Sequence, residues 1–191
     1  MSELPLFPLQ TVLLPDGLLA LRVFEVRYVD MVARCLRGAN RFGVVAIREG
    51  AEVGAATTYG FGTCAEIVDW HQEQGGLLGI LAAGREPFRL HETRREADGL
   101  YVGSVDFLEI MPPQKLGPAH EPLAALLKRL LEPLPLYRGV AASFDDAVWV
   151  GGRLIELLPL DLPLKQSLLE LRDSYARLDR LAAALTPREA G

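Results

Sequence analysis

The tripeptide Met111-Pro112-Pro113 divides the chain more sharply than any other feature. Neither an α-helix nor a central strand runs through two successive prolines, because each lacks an N–H and has a fixed φ. Before this point the sequence reads as short β-forming runs punctuated by Gly and Pro. After it the sequence reads as helical periodicity. Two subdomains are therefore expected, 1–111 and 112–191. At 191 residues, half of them apolar and 24% charged, the chain is long enough to bury a core and has ordinary globular composition.

Candidate strands are Leu6 to Leu9, Val12 to Leu14, Leu19 to Val23, Phe42 to Ile47, Gly62 to Trp70, Leu77 to Ala83, Phe88 to His91 and Leu100 to Ile110. Their spacing suggests a small curled, barrel-like sheet. It is expected to be antiparallel, since helices long enough for repeated crossovers are missing. One helix, Glu25 to Arg37, interrupts the series. Its apolar stripe is Tyr28, Val29, Val32, Cys35 and Leu36, Gly38 is its stop, and it is expected to plug one end of the barrel.

Beyond the prolines, Leu123, Leu126, Leu127, Leu130 and Leu131 form one helical stripe, which Pro133 and Pro135 end. Ser143 is positioned to cap a second helix, with Phe144, Ala147, Val148, Leu154, Ile155 and Leu158 on its buried side. Gly151-Gly152 within it implies either a close helix contact or a break. The last helix is expected from Pro163 onward, with Leu164, Leu168, Leu171, Tyr175, Leu178, Ala182 and Leu185 as its seam in an intramolecular bundle.

The formal charge of −5 opposes binding to polyanions, and Arg94-Arg95 is offset at once by Glu96 and Asp98. No export signal or apolar run of membrane-spanning length is legible, so a cytoplasmic protein without membrane contact is expected. Cys35 and Cys64 form no metal or redox motif and read as buried reduced thiols.

Catalytic spellings fail on their context. Gly60-Phe61-Gly62-Thr63-Cys64-Ala65 matches a dinucleotide loop but leads into β-formers rather than a helix. Gly79 to Gly84 has the two glycines of a phosphate loop, with Arg85-Glu86 in place of Lys-Ser/Thr. His71, His91 and His120 are scattered and read as surface or edge histidines, which implies no metal. Lys165 and Ser167 are two apart on a helix and face differently, and Asp145-Asp146 suit a helix start. No catalytic residue and no cofactor is expected.

Leu4-Pro5-Leu6-Phe7-Pro8-Leu9, Val12-Leu13-Leu14-Pro15-Asp16-Gly17 and Leu21-Arg22-Val23-Phe24-Glu25-Val26-Arg27-Tyr28 together resemble the opening of the Lon protease N-terminal domain. Asp16 stands where that family commonly goes straight to Gly. Phe42-Gly43-Val44-Val45, Gly62 to Ile67, Gly84-Arg85 with Phe88-Arg89-Leu90, and Leu162-Pro163-Leu164-Lys165-Gln166 with Leu169-Glu170 and Arg177-Leu178 are similar to its later segments. The resemblance covers almost the whole chain and stops before any ATPase or Ser-Lys protease domain.

The resemblance implies an α+β fold: a curled, barrel-like (PUA-like) N-terminal subdomain containing one helix, followed by a helical bundle. It also implies a non-enzymatic module that binds apolar or unfolded polypeptide segments, an adaptor for separate protease or chaperone machinery. β-addition at a sheet edge and apolar anchoring are the two physical routes, with Leu14, Leu18 and Leu19 as candidate anchors around the Pro15-Asp16-Gly17 turn. A PUA-like RNA-binding module and a small hydrolase built on His71 or His91 are the alternative readings.

Overall fold

The computed structural model describes residues 1–52, 56–73 and 77–186. The chain divides into two units, Met1–Ile110 and Met111–Gly191. The end of the expected helical segment, 187–191, lies outside the described residues.

The first unit contains β1 (Ser2–Leu9), β2 (Leu18–Val23), α1 (Val26–Arg37), β3 (Arg41–Gly50), β4 (Ala56–Gln72), β5 (Leu78–Arg95) and β6 (Tyr101–Phe107). The strand order is β2-β5-β4-β3-β1-β6, and a further pairing of β5 with β6 closes a barrel from which β2 stands out as an edge. The sheet is mixed rather than antiparallel throughout. β1 and β3 run parallel, with Leu6 opposite Gly43 and Leu9 opposite Ala46. A single crossover through β2 and α1 suffices for that one parallel pair.

Alternation sorts the two faces of the strands. Leu4, Leu6, Val45, Cys64, Phe88 and Val105 fill the barrel interior. Gly43, Gly62 and Gly103 leave room for them: a Cβ at Gly43 would lie 2.9 Å from the Phe88 ring, and one at Gly103 would lie 2.5 Å from Leu90. The interior is therefore packed and forms no channel. The opposite face carries Phe7, Phe42, Val44, Ala65, Ile67 and Ile80, which pack on Tyr28, Met31, Val32 and Cys35 of α1. The helix thus covers the face turned away from the interior and does not plug the barrel. Its buried stripe includes Met31 and leaves Leu36, at the margin of the helix face, 39% exposed.

Three other elements depart from the sequence pattern. Val12 to Leu14 is a buried loop rather than a strand. It leads into a turn closed by the Gly17 N–H donating to the Leu14 carbonyl at 3.0 Å. Pro15 fits the second position of that turn, and Asp16 takes a left-handed φ of 62° at the third. The expected strands at Leu77 to Ala83 and Phe88 to His91 are one strand, β5. Gly84 does not end it. The Asp16 N–H donates to the Gly84 carbonyl and the Gly84 N–H donates to the Gly17 carbonyl, and a Cβ at Gly84 would sit 2.0 Å from the Leu14 carbonyl oxygen. Glycine is there for a close backbone approach. The final strand ends at Phe107, before Ile110.

The second unit contains α2 (Glu121–Leu131), α3 (Ala147–Leu157), α4 (Leu162–Glu170) and α5 (Ser174–Leu185), with single 3-10 turns at Pro118–His120 and Pro135–Tyr137. Asp146, and not Ser143, caps α3 through a bond from the Val148 N–H. α3 runs unbroken through Gly151-Gly152, because Gly151 receives the Arg177 and Leu178 side chains of α5 at 3.3 and 3.5 Å from where a Cβ would be. Phe144 precedes the helix and is half-buried.

The single long helix expected from Pro163 to Leu185 is two helices. Asp173 caps α5 by accepting from the Ala176 N–H. Arg177, 3% exposed, turns back to donate to the carbonyls of Leu168, Leu169 and Leu171 at 3.0, 3.4 and 2.7 Å. These are carbonyls that a helix end leaves without intrahelical partners. The break exposes part of the expected seam: Ala182 and Leu185 face solvent, and the buried positions of α5 are Ser174, Arg177, Leu178 and Leu181. Burial brings the Arg177 pKa down to about 10.

Three stability outcomes follow from these contacts. Gly84→Ala is expected to lower unfolding stability by about 2–3 kcal/mol or more, since its clash is with backbone, whereas Asp16→Gly relieves a left-handed residue and is expected to be neutral or to gain up to about 1 kcal/mol. Arg177→Met is expected to cost roughly 3 kcal/mol through the carbonyls it strands. Urea unfolding monitored by circular dichroism measures all three variants.

Candidate functional site

The edge of the barrel unit is formed by β2. It is hydrogen-bonded to β5 on one side, with Leu19 opposite Ala82, Leu21 opposite Ile80 and Val23 opposite Leu78. Among the described residues it pairs with no other strand. Among the described residues no backbone hydrogen bond reaches its free side, and an open edge of this kind is the chemistry that accepts an added strand. Just past its end Phe24 is 64% exposed and Val26 74%, and Trp70, on β4 beyond β5, is 54% exposed. Trp70 lies opposite Ile80, so the row Leu21, Ile80, Trp70 crosses three neighbouring strands.

The residues expected as anchors separate here. Leu14 is 1% exposed and its side chain lies in the protein interior. Leu18 and Leu19 are half-buried on β2. By alternation they point to opposite faces, and Leu19 packs against the α1 core. Leu18 shares the other face with Arg22, which is paired with Glu73 at 3.2 Å.

A concavity of the barrel unit, about 400 Å³, opens where β4 and β5 separate. The two strands pair from Phe61 opposite Arg89 onward, while residues 90–95 of β5 pair with β6. Leu6, Leu90 and Tyr101 form its apolar part, and Thr57, Thr93 and His91 its polar part.

The helical unit has its own concavity, about 440 Å³, between the end of α2, the Pro135–Tyr137 turn and the start of α3. Trp149 and Leu131 form its buried floor, and Phe144 stands edge-on to Trp149 with ring centroids 5.5 Å apart. Lys128 reaches over the Phe144 ring at 5.0 Å. Sequence reading assigned Phe144 to the buried side of a helix. The signal it passed over is that Tyr137, Val140, Ala142 and Phe144 fall in a stretch broken by Arg138, Gly139 and Ser143, which no helical or strand period orders.

The residues weighed for catalysis are occupied otherwise. His91 pairs with Asp106 at 2.8 Å and thereby holds the Asp106 carboxyl below its ordinary range. His71 pairs with Glu73 at 3.4 Å. No hydrogen bond joins a histidine to a serine among the described residues. His120, expected at the surface, is buried, bonded to Asp179 at 2.7 Å and stacked on Tyr175. The Ser167 hydroxyl donates to the Leu164 carbonyl, and Lys165 donates to the Glu156 carbonyl. Among the described residues no cluster of His, Cys, Asp and Glu could hold a metal ion, and no helix is long and apolar enough to cross a membrane.

Both cysteines are free and buried. Burial pushes the Cys35 thiol up and the Cys64 thiol up to about 11. Since ionisation is harder in the folded state, each thiol favours the fold below the ordinary thiol pKa. That contribution is lost as pH rises through the folded value.

Comparison with known proteins places these features. The family model of the ATP-dependent protease La (LON) substrate-binding domain matches residues 3–186. A crystal structure of a Lon N-terminal domain protein from Xanthomonas campestris is 38% identical, covers 98% of this chain and 100% of that one, and superposes with a TM-score of 0.80. Lon protease 2 of Myxococcus xanthus is 30% identical over 92% of the chain, and protein cereblon of Danio rerio is 33% identical over 65% of it. The matched regions span only 22% and 28% of those two relatives. The N-terminal domain of the Mycobacterium avium complex Lon protease, 15% identical with a TM-score of 0.65 over 95% of the chain, shares the fold.

A thiol reagent at pH 8 is expected to modify native Cys64 at least about a hundredfold more slowly than the urea-unfolded chain, because the thiol is sealed in the barrel interior as well as held neutral. Stopped-flow labelling of native and unfolded protein measures it.

Proposed function

The chain belongs to the family of the ATP-dependent protease La (LON) substrate-binding domain, and from that premise we propose that it is a non-catalytic module that captures apolar or unfolded polypeptide segments. In this reading it is an adaptor that presents those segments to separate proteolytic or chaperone machinery. The observation that carries the proposal is the free edge of β2 with Phe24 and Val26 exposed at its end and Trp70 exposed on β4.

An extended segment adding to that edge gains main-chain hydrogen bonds irrespective of its sequence, and its apolar side chains can meet Phe24 and Val26 at the end of β2. This suits a receptor whose clients share disorder rather than a motif. Leu18 and Leu19 act within this surface as flanking apolar area. Leu14, sealed in the interior, supports the turn beneath it.

Fluorescence anisotropy of a labelled, permanently unfolded polypeptide tests the reading. Wild-type protein is expected to bind it and to ignore a stably folded protein carrying the same label. The pair Phe24→Asp and Trp70→Ala, both at exposed positions, is expected to weaken binding about tenfold, ~1.4 kcal/mol, with unfolding unchanged. Equal binding by the variant, or preference for RNA over polypeptide, would overturn it.

A further inference from the structure

The concavity of the helical unit is set apart from the β2 edge by its charge. Its floor and wall are aromatic and apolar: Trp149, Leu131, Phe144 and Val140. Its rim carries three cations, Lys128, Arg129 and Arg138, against one carboxylate, Glu132, on a chain whose net charge is −5. Among the described residues none of the three cations is in an ion pair, whereas Arg22, Arg34, Arg41 and Arg85 each hold a carboxylate. Lys128 and Arg129 also complement the negative end of α2. Arg138 lies beyond the helix, after the Pro135–Tyr137 turn, and has no such role. At about 440 Å³ the volume falls within the range of pockets that hold a ligand group.

From this complementarity we propose that the pocket between α2 and α3 binds an acidic polypeptide segment, one aromatic or aliphatic side chain inserting against Trp149 while neighbouring carboxylates meet Lys128, Arg129 and Arg138. The inference rests on the reading that this chain recognises polypeptides, and it adds a second site with a composition preference to a strand edge that has none. The apolar anchor supplies affinity by burial. The charged rim supplies selection against basic segments, since like charges facing each other at a rim oppose docking.

The experiment uses the full chain carrying Trp70→Phe, which leaves Trp149 as the only tryptophan of the two in the sequence. Its emission is titrated with short synthetic peptides bearing one Phe flanked by Asp and Glu, the same peptide flanked by Lys, and the acidic peptide with Phe replaced by Ser. The acidic anchored peptide is expected to give a saturable change that weakens with added salt. The other two peptides, and the charge-reversed double variant Lys128→Glu with Arg138→Glu, are expected to bind about tenfold more weakly or worse. Val140→Asp, a substitution at an exposed position, is expected to do the same without altering the unfolding midpoint.

Equal binding of the Lys-flanked peptide, indifference to charge reversal, or an anionic oligonucleotide that gives the same response and displaces the peptide would overturn the proposal. Capture of the unfolded polypeptide by wild-type protein, read by anisotropy, is a separate measurement. Its loss with an intact Trp149 response would count against the β2 reading alone, and the converse against the pocket alone.

Discussion

The pairing of β5 with three different strands is the constraint on which the barrel unit depends. Its first half lies between β2 and β4, and its second half reaches β6. That last pairing closes the barrel around Phe88. A strand of 18 residues can do this only if it bends, and the bend falls where Gly84 admits the Leu14 carbonyl and where the register with β4 shifts between Thr63 and Ala65. The same partition leaves β2 as an unshared edge, so barrel closure and the open edge are two results of one chain path.

The helical unit is ordered differently, by a buried cation rather than by a ladder. Arg177 ends α4 by bonding two of its carbonyls and that of Leu171, its C-cap residue, and fills the space left by Gly151 on α3. One side chain therefore fixes the length of one helix and the approach of two others. Removing its guanidinium leaves polar groups stranded in an interior where they cannot reach water.

Much of this fold was legible in the sequence because alternation and helical spacing report burial directly, and because the ordered segments from Leu4-Pro5-Leu6 to Leu162-Pro163-Leu164 carry the family resemblance. The misreadings occurred where a local signal met a distant partner. Gly84 looked like a strand terminator, but the residue it accommodates is Leu14, seventy positions away along the chain. Leu164 to Leu185 looked like one helix because the apolar steps continue across Asp173. Only the cap at that residue and the return of Arg177 divide them. The candidate surfaces were less legible still. Trp149 and Phe144 have the residue types of core positions, and only the turn at Pro135–Tyr137 decides that space remains beside them.

A bare strand edge has no means of telling a foreign segment from the corresponding edge of another copy. On the proposed reading the occupancy of β2 is therefore governed by competition, in which the abundance of this protein would count against the segments it captures. Mutual repulsion between copies that each carry five net negative charges shifts that competition toward the foreign segment, and does so less as ionic strength rises. Crowding of the protein on itself, rather than loss of affinity, would then set the upper limit of its useful concentration.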